Sequence, residues 1–304
     1  MEQNATLTKD KKGAINVSTF SQKIHSYLKH PFSLLVWIIT ILAALLTVAS
    51  FVYLVLYILI KGVPYLRPEL FSWTYDSNNV SMLPSIINTF LLTALSLVIS
   101  VPLGIFAAIY MVEYAKKGNC MVKFIRVTAE TLSGIPSIVY GLFGMIFFVG
   151  VLKMQLSLLS GSLTVAIMVL PTIMRTTEEA LLSVPQSYRE GSFGLGAGKL
   201  RTVFRIVLPS AVPGILSGVI LATGRIVGET AALIYTAGTM AKVPNNLFAS
   251  ARTLSVHMYL LSNEGLHTNE AFATAVVLLV FVMLINMLAN FVARRLSAKN
   301  AEND

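Results

Sequence analysis

Ionised side chains are scarce in this chain. Only 14 acidic and 23 basic residues occur among 304, so charged residues make up 12% while hydrophobic ones reach 55%. Mean hydropathy is +0.74. So small a polar complement cannot cover a water-soluble globule of this length, which excludes a soluble enzyme and leaves a lipid bilayer as the solvent. Cysteine is nearly absent: Cys120 stands alone, so no disulfide framework exists and thiol redox chemistry is disfavoured. Histidine is sparse as well. His25, His30, His257 and His267 show no metal-ligand spacing with cysteine or carboxylates, which argues against zinc. The only aspartates, Asp10, Asp76 and Asp304, lie outside the apolar runs, so an intramembrane Ser-His-Asp hydrolase is disfavoured. No cofactor is implied, and neither an internal repeat nor a low-complexity tract is visible.

What is abundant is uninterrupted apolar sequence. Charge-free windows run Pro31 to Ile60, Ser77 to Val112, Thr131 to Leu152, Met154 to Met174 and Ala271 to Ala293, and another begins at Ile206. Each supplies the roughly 20 apolar residues that cross a bilayer as a helix. The fifth span is expected from near Ser210 to about Gly238, interrupted by Arg225 and Glu229. The expectation is an all-α integral membrane protein of six spans, with Pro171 bending the fourth. The third span holds Gly134, Pro136, Gly141 and Gly144, and the fifth holds Gly214, Gly218 and Ala222, small residues that permit bending and close helix approach.

Lys and Arg then set the topology. Lys9, Lys11, Lys12, Lys23 and Lys29 precede the first span, Lys116, Lys117, Lys123 and Arg126 follow the second, and Arg189, Lys199, Arg201 and Arg205 follow the fourth. The opposite loops hold only Lys61, Arg67, Lys153, Lys242 and Arg252, so the positive-inside rule puts both termini in the cytosol. The formal charge of +9 therefore records membrane orientation and implies no nucleic-acid partner. Domain boundaries follow: a basic cytosolic tail over 1–30, the first span over 31–60, an extracytoplasmic loop over 61–84, a membrane core over 85–295 and a cytosolic tail over 296–304. The loop from Thr239 to Glu270 is long enough to carry a short helix, either a docking site for an external partner or a lid on the bundle. Trp37, Tyr53, Tyr57, Tyr110 and Tyr114 are expected as interfacial anchors.

Within the core, a polar segment at about 177–208 carries Glu190-Gly191-Ser192, then Gly196, then Ile206-Val207-Leu208-Pro209. A membrane domain driven by a separate motor needs a rigid knob, and the glycines at 191, 194, 196 and 198 allow tight turns and close approach to another surface. Pro209 and Pro213 suit the first turns of the next helix. From spacing alone an ordinary polar connection fits equally well. Gly198-Lys199 is not a phosphate-binding loop: Phe193 stands where its first glycine would be and Leu200 replaces the magnesium-binding hydroxyl, so ATP chemistry must come from another subunit.

Arg225 and Glu229 would each cost roughly 2.5 to 3.5 kcal/mol at a helix centre unless paired or facing water. Their i, i+4 spacing is expected to put both on one helix face, with Glu229 holding the arginine's charge when no substrate is present. One use is a structural ion pair. The other is an anion pathway, because a planar guanidinium matches the edge of a tetrahedral oxyanion. Arg175, with Glu178 and Glu179, repeats the theme at the expected inner end of the fourth span, where a snorkelling cap is the simpler role.

The Glu190 to Pro209 segment resembles the EAA loop of importer-type ABC permeases, with Glu190, Gly196, Ile206, Leu208 and Pro209 at the fixed offsets and small residues, Gly191 and Ser192, replacing small residues. Glu130 to Gly144, Arg175 to Leu181 and Gly224 to Thr230 resemble, in the same order, signatures of the PstA family of phosphate ABC transporter permeases, a likeness spanning Ser85 to Arg295. The resemblance implies a type I ABC importer permease fold in a bacterial cell membrane. It also implies a second homologous permease subunit, a cytosolic ATPase dimer, an extracytoplasmic phosphate-binding protein and phosphate as substrate. Glu190, Gly191, Gly196, Ile206, Leu208 and Pro209 would form the ATPase coupling loop, and Arg225, Glu229 and Arg175 would line the translocation path. A permease for sulfate or molybdate, or a stand-alone anion carrier or channel, are the competing expectations.

Overall fold

A computed structural model describes residues 31–116 and 118–301, with side chains for 32–116 and 118–291. The expected 1–30 tail lies outside the described residues, as do 302–304. Every regular element among the described residues is helical. The chain divides between Tyr57 and Ile58 into two units. The first holds the start of α1 (Pro31–Gly62), whose side chains from Phe32 onward are apolar and largely exposed, as suits contact with lipid tails.

In the second unit α2 (Leu83–Ile109) runs into a π-helical turn at Tyr110–Tyr114. Next comes α3 (Cys120–Ser133), started by Asn119, whose side chain accepts from the Met121 amide at 2.9 Å. α4 (Ser137–Gly144) continues as a π segment through Val151, and α5 (Leu158–Ser183) is capped by the Ser157 hydroxyl. Two short helices follow, α6 (Gln186–Gly194) and α7 (Lys199–Thr202), then a π turn at Val203–Val207 that enters α8 (Leu208–Val227). The chain closes with α9 (Ala231–Thr236), α10 (Leu254–Glu264) and α11 (Thr268–Ala301). The last helix runs past residue 295 to Ala301.

Among the described residues, five helices are long and apolar enough to cross a bilayer singly. The third expected span differs: α3 and α4 meet at a 103° bend, so the apolar run from Thr131 to Leu152 is not one straight helix. The cause is local. Pro136 removes an amide donor and disfavours helical backbone at Ile135. The backbone at Pro136 is accordingly extended, and Gly134 closes α3. Counted as one broken span, this pair makes six.

The fifth span is broken too. Gly228 caps α8, and the chain restarts as α9 three residues later. Pro171, by contrast, sits inside a helix that runs on to Ser183.

α5 is the central helix, packing on α2, α3, α4, α8 and α9. Without water to expel between spans, approach depends on small residues. A Cβ at Gly218 would fall 2.7 Å from Thr176 Cβ, one at Gly214 2.6 Å from Ala180 Cβ, and one at Gly141 2.7 Å from Ala232 Cα. α2 contributes a buried polar stripe, Ser85, Asn88, Thr89, Thr93, Ser96 and Ser100, with Ser96 Oγ donating to the Ser162 carbonyl at 3.2 Å. The core falls into three clusters: one around Val165, Met168 and Val169, one at the α6 end around Leu181, Val203 and Val207, and one at the other end around Met82, Leu254 and Leu261.

The long loop after α9 does carry a helix, α10, whose inner face is buried. Thr89 Oγ1 accepts from the Leu254 amide at 2.8 Å, and Asn88 Nδ2 donates to the carbonyls of Lys242 and Arg252. The loop thus lies on the bundle, the arrangement of a lid.

Candidate functional site

The α6–α7 loop is a built structure rather than a slack connection. Gly196 has φ +83, a left-handed conformation that glycine takes without strain, and it turns the chain between the two short helices. Ser192 is buried at 4% exposure and its hydroxyl meets Thr202 Oγ1 at 2.8 Å, locking α6 to α7 across that turn. Gly196 and Ile206 line one groove of about 260 Å³ with Leu195, Ala197 and Arg205. Leu208 packs against the cluster holding Val203 and Val207, and Pro209 occupies the first turn of α8, where its missing amide costs little. Much of the loop is uncovered. Glu190, Phe193 and Leu195 are exposed, and a side chain at Gly191, Gly194, Gly196 or Gly198 would meet nothing in this chain within 4 Å. Exposed apolar residues beside open glycines are the surface a partner protein needs.

Arg225 and Glu229 do not share a helix face. α8 ends at Val227, and among the described residues no ion pair joins them. The break explains why. Arg225 stands in the last turn of α8, where the exposed carbonyls favour a cation. Glu229 sits just before α9, and its Oε1 accepts from the Ala232 amide at 3.1 Å. Its own carbonyl accepts from Ser255 Oγ at 2.5 Å, which joins the break to α10. Two opposed helix termini thus accommodate the two charges separately. Arg225 is half-buried, makes no side-chain ion pair among the described residues, and lies within electrostatic reach of the Tyr140 hydroxyl. That hydroxyl donates to the Leu132 carbonyl at 2.8 Å, tying α4 to α3 across the bend.

A cavity of about 570 Å³ opens beside α3, α5 and α8. Arg175 lines it with Thr172, Thr176 and Leu221. Leu221 precedes Arg225 by one helical turn, about 6 Å along the same face. Arg175 is exposed and reaches Glu179 at 3.2 Å, while Arg126 of α3 reaches Glu178 of α5 at 2.5 Å. With Glu130 the cavity carries two arginines against three carboxylates.

Arg175 thus lines the cavity, Arg225 lies one helical turn beyond its lining residue Leu221, and Glu229 serves the break. The pairing of Arg126 with Glu178 and the bond from Tyr140 to Leu132 are not announced by any local spacing, since the first joins two separate helices and the second crosses the bend between α3 and α4. Arg189 was noted only as a topology charge. Its guanidinium turns inward to Glu113, which is the first charge after the second apolar window, a position that could have drawn notice.

Residues 100–301 match the family model for binding-protein-dependent transport system inner membrane components. The chain is 34% identical to a probable ABC transporter permease protein, YqgI, of Bacillus subtilis, over 86% of this chain and 95% of that protein. It is 35% identical to the phosphate transport system permease protein PstA 1 of Mycobacterium tuberculosis, over 65% of this chain and 66% of the relative. Among solved structures, a chain from the crystal structure of a bacterial alginate ABC transporter superposes with a TM-score of 0.65 at 16% identity, covering 89% of this chain and 98% of its own.

Proposed function

We propose, for a chain that belongs to the family of binding-protein-dependent transport system inner membrane components, that the cargo is inorganic phosphate and that the chain is the PstA-type subunit of an ATP-driven importer. Its fold is that of type I ABC importer permeases, and it is not an enzyme: ATP hydrolysis belongs to a separate partner. Importer permeases of this kind work with another permease subunit, an ATPase and a substrate-binding protein. Phosphate as cargo is supported by the named likeness to PstA 1 and by one feature of the site.

That feature is Arg225. It is a membrane-embedded guanidinium with no carboxylate paired to it among the described residues, one turn beyond a cavity that Arg175 lines. A guanidinium with donors to spare suits a tetrahedral oxyanion. The cavity's surplus of carboxylates disfavours anion retention, so an anion handed from Arg225 toward Arg175 would be released rather than held. The lysine and arginine distribution supports a cytosolic position for the α6–α7 loop and both termini. In that orientation the exposed face of Glu190, Phe193 and Leu195 meets the ATPase, and closure of the motor subunits reorients the two permeases around the path.

The test is phosphate uptake by the assembled importer carrying Arg225→Gln, which keeps a donor but loses charge and fork. Loss of a charge-assisted contact lowers uptake at least roughly tenfold; unchanged uptake removes Arg225 from the path. Competition by sulfate or molybdate, if stronger than by phosphate, reassigns the cargo to another oxyanion. Anion transport by the purified chain without an ATPase would instead mark a stand-alone carrier.

A further inference from the structure

Arg189 lies in the exposed loop helix α6, yet its side chain is only 10% exposed. The guanidinium turns back into the protein and satisfies its donors there. Nε and Nη2 both donate to Glu113 Oε1, at 3.0 and 2.7 Å, while Nη1 donates to the Val184 carbonyl and Nη2 to the Leu181 carbonyl, each at 2.9 Å. One side chain thereby joins three elements: α6, the inner end of α5, and the π turn that ends α2. Glu113 is equally enclosed, at 9% exposure.

A second contact grips the same π turn from beyond Gly196. Lys199 Nζ stands 5.1 Å over the Tyr114 ring. Met111 of the π turn also belongs to the buried cluster that holds Leu181, Val184, Val203 and Val207. Residues on both sides of the loop's glycine turn therefore hold one point on α2.

A buried ion pair is a poor way to gain stability, since apolar side chains of similar volume often serve as well. What a planar fork supplies is direction: several donors fixed in one plane resist sliding and rotation where an apolar contact would yield. We propose that Arg189 and Glu113 are positioning residues that form a rigid strut, through which displacement of α6 reaches the inner ends of α2 and α5. The strut rests on the reading that the α6–α7 loop receives the ATPase. Motion arriving at the exposed face of α6 meets this enclosed, directional contact beside the short Val184–Pro185 link to α5. The pair converts a push on the loop into a shift of two membrane helices.

The experiment uses the complete importer in proteoliposomes, with its partner permease, ATPase and binding protein. Three variants are compared with wild type: Glu113→Gln, Arg189→Lys, and the double variant Arg189→Met with Glu113→Leu, which fills the site with apolar atoms. The readouts are ATPase copurified with the tagged chain, basal ATP hydrolysis, and stimulation of hydrolysis by binding protein loaded with inorganic phosphate. Expected is wild-type copurification and basal hydrolysis in all three, with stimulation reduced about tenfold in Glu113→Gln and in the double variant, a typical size for coupling between sites. Arg189→Lys, which keeps the charge, recovers part of it. Undiminished stimulation in the double variant overturns the strut, as does loss of copurification in step with stimulation, which would mean a folding role. A chain otherwise unaltered that retains the ATPase after the exposed surface at the end of α6 is made acidic, by Phe193→Glu with Leu195→Glu, overturns the docking reading and the strut with it.

Discussion

Replacing Glu229 by Gln and, separately, by Ala separates the two jobs a carboxylate can do at the α8–α9 break. In the structure its Oε1 accepts the Ala232 amide at 3.1 Å and the residue is 8% exposed, so the bond is sheltered from water. Ala removes the acceptor and leaves a buried amide donor without a partner at the start of a six-residue helix. Losing such a cap costs about 1 to 2 kcal/mol, and the desolvation penalty of an orphaned amide describes the same lost bond, so the two are not added. Gln keeps a carbonyl oxygen at the same reach and forfeits only the attraction between a full negative charge and the helix N-terminus, about 0.3 to 1 kcal/mol. The expected order of stability is therefore wild type, then Gln, then Ala. A double-mutant cycle with Arg225→Gln should give a coupling energy below about 0.5 kcal/mol, because the two side chains share no bond. Unfolding of the detergent-solubilised chain, followed by circular dichroism against temperature or denaturant, measures all four terms. A Gln variant as damaged as the Ala variant, or a coupling energy above about 1 kcal/mol between positions 225 and 229, would refute the capping account and restore the ion pair.

The same unfolding assay checks three further expectations. Gly218→Val drives a side chain into Thr176 and should lower stability by about 1 to 3 kcal/mol; full stability would show that α5 and α8 do not approach as described. Gly191→Ala, in a helix with nothing within 4 Å, should raise stability by about 0.5 to 1 kcal/mol, whereas Gly196→Ala, at φ +83, should lower it by about 1 kcal/mol. Equal signs at the two positions would contradict the loop geometry. His257 on α10 is held neutral, its pKa lowered from 6.5 to about 3 by burial first and by Arg252 second, with the Val80 backbone opposing. A depressed folded pKa means that the stability from the neutral ring is complete above pH 6.5 and declines as pH falls toward 3, by about 2 kcal/mol at pH 5. His257→Asn should flatten that slope between pH 6.5 and 5, and an unaltered slope would assign the acid sensitivity to other groups.

Much of the architecture was legible because membrane insertion leaves a coarse record. A run of about 20 apolar residues has few alternatives to a helix in a bilayer, so the first, second, fourth and sixth spans were readable from composition alone. The loop was readable in part: Gly196 takes the left-handed conformation and Pro209 the first turn of α8, whereas Gly191 and Gly194, expected at tight turns, lie within α6, so a glycine's presence alone does not report its backbone state. Ser192 shows where that reading stops, since its smallness was visible but its bond to Thr202 was not. The breaks were harder. Gly134 and Pro136 announced a bend without its angle, and nothing in the spacing marked Gly228 as the end of α8, so Arg225 and Glu229 were expected on one continuous helix. An i, i+4 spacing has meaning only while the helix lasts, and three residues of non-helical backbone send the two side chains to different partners. Arg189 and Glu113 mark the other boundary of sequence reasoning. They stand 76 residues apart and meet only because α2 and α5 pack side by side and the loop folds back between their ends. Arg126 and Glu178 meet through the same packing, across the α3–α5 contact. Local propensity determines which residues sit at a helix end, but the charge that answers them is selected by the packing of whole helices.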